Sequence, residues 1–398
     1  MYYKLSKTHQ LLRQMLRQFA QNEIRPIAAE LDREEHYPYE TLKKFFENGF
    51  MGFHLAPELG GSGGDHLGYV LTMEEFAKVD TPTAGILSGH NEATIAAIAK
   101  WGTKKQKETY LPQLLREGRK LGGFSMTEPT AGSDSNGVRT TAIRQGNYYL
   151  VNGTKCFATN GGTAEIFILV AVTDPAIYGS KGKSAFILDV HTPGVTIGKK
   201  EKMMGFREAS ICEIILNNVK IPIDNILGQE GDGLKVALGG LEGGRVDVAG
   251  EAIGNAQGML DEVKKFINST TWNGKLLARY QNVQFKFAEM QTQVDCARLL
   301  TYNAASMMDE GLPCNLEASQ AKYFATKTAN DIASACIDLL GQFGYTDRYI
   351  GEKFMRDAKL LEIYEGTNEV QKIVISRGMG LKTRKPRKSE EKKESVHA

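Results

Sequence analysis

The stretch Tyr-Glu-Gly-Thr-Asn-Glu, residues 364–369, separates two helical patterns near the end of the chain. The charged run 355–359 before it is typical of a helix end, and apolar residues within 370–374 resume helical spacing. Gly366 permits a tight turn, and the two residues after it are suited to cap the next helix. The sequence therefore predicts that Glu365 lies in a break between two helices, where its carboxylate reaches a cleft. An exposed loop glutamate is the alternative.

Two further motifs lie upstream of this stretch. Residues 124–134 read Phe-Ser-Met-Thr-Glu-Pro-Thr-Ala-Gly-Ser-Asp, and residues 155–162 read Lys-Cys-Phe-Ala-Thr-Asn-Gly-Gly. Together with residues 364–367 these segments resemble the acyl-CoA dehydrogenase family, whose signature loop reads approximately Thr-Glu-Pro-x-Ala-Gly-Ser-Asp. Each motif alone is a weak signal, but three in this order make a specific one. The resemblance extends across residues 5–381.

The bulk composition favours small-molecule chemistry. The 398 residues include 49 basic and 47 acidic side chains, a net charge of +2, so no strong field attracts nucleic acid or an anionic membrane. No apolar run approaches the ~20 residues that a membrane-spanning helix needs. Residues 1–5 lack the apolar core of a signal peptide. We expect a cytoplasmic protein with neither nucleic-acid binding nor membrane insertion.

The five cysteines and seven histidines form no metal-ligand pattern. The cysteines are scattered without a Cys-x-x-Cys pair, and no His-x-x-x-His or His-Glu-x-x-His pattern occurs. The sequence predicts free thiols in a reducing compartment and no catalytic metal.

The periodicity divides the chain into helical, sheet and helical parts. Helical patterns include Tyr39–Asn48, Leu67–Lys78 and Lys104–Glu117, with an interruption at Arg25-Pro26. After Leu121 short β-branched and aromatic runs follow one another, and turn signals stand at 145–147 and at Asn152-Gly153. The predicted strands are Val138–Ile143, Tyr148–Val151, Lys155–Thr159, Ile166–Val172, Ser184–Leu188, Val195–Ile197 and Ile211–Leu216.

The predicted fold class is therefore α+β, with three domains and a tail. They are an N-terminal all-α domain (1–120), a middle antiparallel β-sandwich or barrel-like domain (121–225), a C-terminal α-helical bundle (226–381) and a charged, disordered tail (382–398). In the bundle an apolar stripe is expected to lie in the core or in a subunit interface: Val283, Phe287, Met290, Val294 and Ala297.

The reaction that the resemblance implies is α,β-dehydrogenation of a short-chain acyl-CoA thioester, or in reverse the reduction of an enoyl-CoA. Since no side chain accepts a hydride, an organic cofactor is needed, and the family uses FAD. Glu365 matches the general base, which becomes the acid in the reverse direction. Some relatives place the base just before the arginine of a Leu-x-x-x-Arg pattern, where this chain has Gly244. The expected electron partner is an electron-transferring flavoprotein, and the expected assembly is a homotetramer.

The resemblance also implies residues that bind the cofactor and the substrate. The cofactor residues are Phe124, Met126, Thr127, Gly132 and Ser133 in the loop, Phe157 and Thr159 in the second motif, and Gln281, Thr367 and Asn368. The substrate residues are Ser133, Glu242, Arg245 and Gly366.

Two departures from the family pattern concern FAD affinity. Thr270 stands where relatives commonly have an arginine that reaches the FAD of a neighbouring subunit, and Asp338 stands where they have a glutamine. Both changes disfavour a pyrophosphate, since one removes a positive charge and the other adds a negative one. We expect FAD to dissociate more readily than from a typical relative.

Two alternative functions remain open at this point. One is a catalytically silent binding or assembly subunit of the same fold, against which the retained Glu365 and the 127–134 loop argue. The other is an acyl-CoA oxidase, which is usually a longer chain. The acyl group and the physiological direction do not follow from the sequence.

Overall fold

A computed structural model describes residues 5–116, 119–239 and 241–381, without the side chains of Leu238, Leu241 and Glu242. The helices are α1 (Lys7–Phe19), α2 (Arg25–Glu34), α3 (Tyr39–Glu47), α4 (His66–Ala77), α5 (Thr81–His90), α6 (Ala96–Trp101), α7 (Lys104–Leu115), α8 (Gly233–Gly239), α9 (Leu241–Ser269), α10 (Gln281–Asp309), α11 (Asn315–Leu340), α12 (Gly351–Leu361) and α13 (Asn368–Gly378). The strands are β1 (Gly122–Ser125), β2 (Thr141–Gln145), β3 (Tyr148–Ala158), β4 (Ile166–Val172), β5 (Lys183–Asp189), β6 (Val195–Lys200), β7 (Cys212–Pro222), β8 (Ile226–Leu227), β9 (Thr271–Trp272) and β10 (Lys275–Leu276).

The predicted order of helices, sheet and helices is confirmed, and so is the α+β fold class. The sheet continues to Leu227 because β8 pairs with β5. The domain limits at 120 and 225 stay a prediction, and the predicted disordered tail at 382–398 lies outside the described residues.

The N-terminal helices start and end at local signals. The Ser6 side chain accepts a hydrogen bond from the His9 N–H at the start of α1, and the Asp65 side chain does the same for Gly68 at the start of α4. The predicted interruption at Arg25-Pro26 is wrong. A single π-helical turn, Ala20–Ile24, joins α1 to α2 directly before Pro26, so the helical path continues through the proline without a break.

Eight strands form one sheet, in the order β6-β7-β3-β2-β4-β5-β8, with β1 alongside β4. Most neighbours are antiparallel, as predicted, but β1 and β2 both pair with β4 in parallel. The strand β1 itself was not predicted, because its sequence Gly-Gly-Phe-Ser has low strand propensity. Phe124 of β1 and Met126 just after it pack against a small cluster that contains Leu234 and Ala237 of α8.

The predicted turn at Asn152-Gly153 is also wrong. These residues lie inside β3, which runs unbroken from Tyr148 to Ala158, and the register against β7 shifts between Val151 and Gly153. A β-bulge uses the same residue type as a hairpin turn, since glycine is well suited to both.

The long helices of the C-terminal part carry the core. α9 packs against α4 and α11, and four of the five stripe residues on α10 are buried, with Phe287 partly buried against them. No helix within the described residues is both long enough and apolar enough to span a bilayer. The first turn of α9 faces the turn between α12 and α13, since Gly244 lies against the Glu365 carboxyl.

Candidate active site

Glu365 lies in the predicted break, between the end of α12 at Leu361 and the start of α13 at Asn368. Glu365 and Gly366 have successive positive φ angles of 54° and 86°, so the chain reverses direction sharply. Gln371 Nε2 donates to the Glu365 carbonyl at 3.2 Å and to the Gly366 carbonyl at 2.9 Å. The Thr367 side chain accepts a hydrogen bond from the Val370 N–H and caps α13. The turn is thus held in a conformation that a non-glycine residue rarely adopts.

The Glu365 carboxyl points toward the first turn of α9. A Cβ atom built on Gly244 would lie 3.0 Å from Glu365 Oε2. Gly244 occupies the position where some relatives place the base, and here it leaves room for the Glu365 carboxyl instead. Gly244 has no side chain that could act as a base, and it lies opposite the Glu365 carboxyl.

Burial controls the charge state of Glu365. Removal from water raises the pKa of this carboxyl, and the neighbouring Glu92 raises it further, while Lys322 and Arg245 oppose both effects. Lys322 is itself buried on α11, which lowers its pKa to about 7. Its Nζ donates to the Gly366 carbonyl at 2.9 Å. The Glu365 carboxylate is thus a stronger proton acceptor than a solvated one, with a buried lysine beside it.

A small, partly open cleft adjoins Glu365. Its lining is mostly small and apolar, and consists of Glu92, Ala93, Ala97, Phe124, Val236, Ala237, Gly244 and Glu365. Phe124 belongs to β1, so the strand of the first predicted cofactor motif and Glu365 line the same cleft.

The two predicted cofactor motifs lie side by side. The Cys156 N–H donates to the Thr127 carbonyl at 2.9 Å, and Lys155 Nζ donates to the Met126 carbonyl at 3.0 Å. Lys155 also binds Glu128 Oε1 at 2.8 Å, in a buried ion pair. Sequence reasoning did not identify Lys155 or Glu128 as site residues, although their ion pair connects the two motifs. A lysine inside a mostly buried strand was the available signal.

The residues of these motifs fit a planar aromatic cofactor. Phe157 is 62% exposed although it is a large apolar side chain, and its φ of 52° is unusual for phenylalanine. A Cβ atom added to Gly132 would meet nothing within 4 Å, and Ser133 beside it is exposed. Thr127 and Thr159 are partly exposed and supply hydroxyl groups to the same region. An open surface with an exposed aromatic face and polar edges suits a flavin.

Several predicted site residues are engaged elsewhere in the chain. Asn368 is buried, and its Oδ1 accepts from Thr326 Oγ1 at 2.9 Å. Gln281 is exposed at the first position of α10, and no residue of α10 is among the described residues that line the cleft. The side chain of Glu242 lies outside the described residues.

Arg245 is one residue beyond the glycine that faces Glu365. Its Nη1 donates to Asn315 Oδ1 at 2.6 Å and to Ser319 Oγ at 2.9 Å, so two α11 side chains fix the guanidinium. Gly366, the other predicted substrate residue in the base turn, has its carbonyl engaged by Lys322 and Gln371.

Three buried acidic residues near Glu365 were missed by sequence reasoning. Burial raises the pKa of Glu92 to about 7 and that of Glu251 to about 8, and it raises the pKa of Asp247 well above its usual value. Ser88 Oγ donates to Asp247 at 3.3 Å, and the Tyr364 hydroxyl donates to Glu251. The available signal was the i, i+4 spacing of Asp247 and Glu251 in an otherwise apolar part of α9.

Comparisons with known proteins agree along the whole chain. Models of the acyl-CoA dehydrogenase N-terminal, middle and C-terminal domains match residues 6–118, 123–219 and 231–380. The short-chain specific acyl-CoA dehydrogenase of Clostridium acetobutylicum is 41% identical, over 94% of this chain and 98% of that protein. The caffeyl-CoA reductase–Etf complex subunit CarC of Acetobacterium woodii is 40% identical, over 95% and 99%.

Solved structures show the same fold. Butyryl-CoA dehydrogenase from Megasphaera elsdenii superimposes with a TM-score of 0.92 at 38% identity, covering 96% of this chain and 100% of that one. Three domain models in sequence, close relatives over nearly their full length and a shared fold all agree with the motifs around Glu365. The chain belongs to the acyl-CoA dehydrogenase family.

Proposed function

We propose that the protein is an FAD-dependent enzyme that removes two hydrogens from the α and β carbons of a short-chain acyl-CoA thioester, or adds them to an enoyl-CoA. The observation that carries this proposal is Glu365, whose carboxyl is removed from water and lines a cleft together with small apolar side chains and Phe124 of the predicted cofactor strand. Relatives named as a dehydrogenase and as a reductase support both directions.

Glu365 acts on the substrate proton. A thioester α-hydrogen is weakly acidic, so the acceptor must be basic and must lie beside the α-carbon. Burial raises the pKa of Glu365 and thus its strength as a base, while Lys322 and Arg245 keep the ionised form accessible. In the reverse reaction the protonated Glu365 returns the proton to the α-carbon.

Substrate orientation depends on the rigid turn around Glu365. Gln371 and Lys322 use up the carbonyls of residues 365 and 366, so the turn cannot rotate without loss of these bonds. The family resemblance implies that the Glu365 N–H supports the thioester carbonyl. Such fixed donors stabilise enolate charge because they need no reorganisation during the reaction.

FAD supplies the hydride acceptor that no side chain provides. The residues that would hold it are Phe124, Met126, Thr127, Gly132, Ser133, Phe157 and Thr159. The proposed contacts of Gln281, Thr367 and Asn368 with the cofactor, and of Ser133, Glu242, Arg245 and Gly366 with the CoA ester, follow from the family resemblance.

An electron-transferring flavoprotein is the proposed electron partner, supported by the name of the CarC relative. A homotetramer, a cytoplasmic location and the three-domain division are further proposals, which rest on the resemblance and the sequence pattern. A silent subunit is disfavoured by the retained base and its raised pKa, and an oxidase by the 41% identity to a named dehydrogenase.

The visible spectrum of the purified protein tests the proposal. A flavin spectrum that bleaches anaerobically on addition of butyryl-CoA or another short acyl-CoA is the expected result. A protein that reconstitutes with FAD yet bleaches with no thioester of the panel would contradict it, and bleaching followed by rapid reoxidation in air would favour the oxidase.

A further inference from the structure

A second carboxyl group, that of Glu92, lines the cleft together with Glu365. Glu92 lies in a π-helical turn, Asn91–Ile95, between α5 and α6, and is only 8% exposed. A Cβ atom on Gly243 would overlap Glu92 Oε2, just as one on Gly244 would crowd Glu365 Oε2. Neighbouring glycines at the start of α9 thus accommodate two carboxyl groups at the same cleft.

The Glu92 carboxyl is incompletely satisfied. Among the described residues, Oε1 has no hydrogen-bond partner of acceptable geometry. The nearest basic group is His54, whose Nε2 lies 3.2 Å from Oε1, and burial lowers the pKa of this imidazole to about 4, so it carries no charge at neutral pH. A buried carboxyl oxygen without a partner is costly, and a bound ligand that supplies a donor removes the cost.

The rest of the cleft limits what the ligand can be. Ala93, Ala97, Val236 and Ala237 are small and apolar, so they suit the methylene groups of a short acyl chain. An acyl chain that ends in a methyl group would leave Glu92 unpaired. A chain that ends in a hydroxyl or ammonium group would place a donor at this acceptor.

We propose that Glu92 selects short acyl-CoA thioesters that carry a hydrogen-bond donor, a hydroxyl or an ammonium group, at the distal end of the acyl chain. This inference rests on the proposed function and names its substrate class. Buried polar groups reject analogues that cannot pair with them much more strongly than apolar pockets reject extra groups. Glu92 contacts the acyl chain here and takes no part in proton abstraction.

Calorimetric titration of the FAD-loaded Glu365→Gln protein tests the inference without turnover. The ligands are butyryl-CoA, 4-hydroxybutyryl-CoA, 4-aminobutyryl-CoA and 4-methoxybutyryl-CoA. At a pH above 8, where Glu92 is ionised, we expect the hydroxy or amino ester to bind roughly 10- to 100-fold more tightly than butyryl-CoA, as a hydrogen bond to a charged group suggests. The methoxy ester, which has no donor, should show no such gain.

Variants at position 92 identify the group responsible. Glu92→Ala should abolish the preference, and Glu92→Gln should keep a hydroxyl preference but lose an ammonium one. Glu108→Gln, an exposed glutamate on α7, is the matched control and should keep the wild-type ranking. If Glu92→Ala does not fold, the affinity ranking of the four esters, measured with Glu92 intact and with Glu92→Gln, still tests the inference.

Three outcomes would overturn the inference. Tightest binding of butyryl-CoA would exclude a donor-bearing substrate, and equal binding of the methoxy and hydroxy esters would exclude donation to Glu92. A preference that survives Glu92→Ala would assign it to another residue. If no CoA ester binds at all, the proposed function fails with it, which distinguishes that failure from the loss of selectivity alone.

Discussion

Gly244 and Glu365 face each other across the cleft, so that a Cβ atom on the glycine would lie 3.0 Å from Oε2 of the glutamate. This contact is tighter than ordinary packing allows, and the carboxyl must shift by a few tenths of an ångström to accept a methyl group. Two residues that are 121 positions apart in the chain therefore meet in the fold, and a side chain at position 244 would change the position of the Glu365 carboxyl.

Gly244→Ala should lower kcat for butyryl-CoA oxidation by about 10-fold, because displacement of a catalytic group by ~1 Å can cost about 10²-fold and this shift is smaller. The thermal midpoint should not fall, since alanine is the better helix former. Gly239→Ala, in α8 where the added Cβ meets only ordinary contacts, is the control. Unchanged kcat in Gly244→Ala would contradict the assigned geometry.

Lys322→Met should move the acidic limb of the kcat/KM profile to higher pH. The Lys322 charge favours ionised Glu365, so its removal raises the pKa of Glu365 and the base becomes available only at higher pH. The lysine itself has a pKa of about 7, so it is charged over the acidic limb. The matched control is Lys327→Met, at an exposed lysine of α11 that pairs with Asp331. A limb that moves to lower pH in Lys322→Met would contradict the account.

Glu251→Gln should make the protein more stable at alkaline pH. Burial raises the pKa of Glu251 from 4.5 to about 8, so the folded state binds this proton more tightly than the unfolded state does. Protonation of Glu251 therefore contributes to the stability of the fold. That contribution is complete below pH 4.5 and is lost as pH rises toward 8, at roughly 1.4 kcal/mol per unit. The glutamine still accepts the Tyr364 hydrogen bond but carries no titrating group.

Thermal midpoints of wild type and Glu251→Gln from pH 5 to pH 9 check this. The two curves should diverge as pH rises, with the variant above the wild type, while Glu108→Gln follows the wild type throughout. Parallel curves for Glu251→Gln and the wild type would show that the Glu251 carboxyl is solvated or paired in solution.

Restoring the family residues at positions 270 and 338 should slow FAD loss. Asp338 is exposed on α11 and Thr270 is partly exposed after α9, so both new side chains have room to reach a ligand or a second subunit. The combined Thr270→Arg and Asp338→Gln variant should retain more flavin after desalting than the wild type. Equal loss would mean that other contacts determine FAD affinity.

The sequence predicts those parts of the site that depend on short segments. Glu365 was predicted to lie in a helix break because the apolar spacing stops before it and resumes after it, and the break is confirmed. The capping role of Thr367 follows from the same local chemistry. Phe124, Thr127 and Phe157 could be assigned to one predicted cofactor site because each belongs to a short motif that is recognisable in the sequence.

The buried charged groups near Glu365 could not be predicted in the same way. Glu92, Asp247 and Lys322 belong to three separated elements, and their approach is decided by how α9 packs against its neighbours. Each side chain alone is indistinguishable in the sequence from a solvated surface charge. The wrong turn at Asn152-Gly153 has a related cause, because the pairing partner in β7 decides between a turn and a bulge.

The most direct test of the central claim is anaerobic stopped-flow reduction of the Glu365→Gln protein by butyryl-CoA and a few longer thioesters. The substitution keeps the side-chain volume and the backbone N–H but removes the proton acceptor. General-base catalysis typically contributes ~10²–10⁴-fold, and loss of the proposed base at a weakly acidic carbon belongs at the upper end. The variant should stay yellow and bind the thioester, yet its flavin should bleach at least ~10³-fold more slowly than in the wild type. Bleaching within a few-fold of the wild-type rate would show that Glu365 is not the base, and the proposed mechanism would have to be withdrawn.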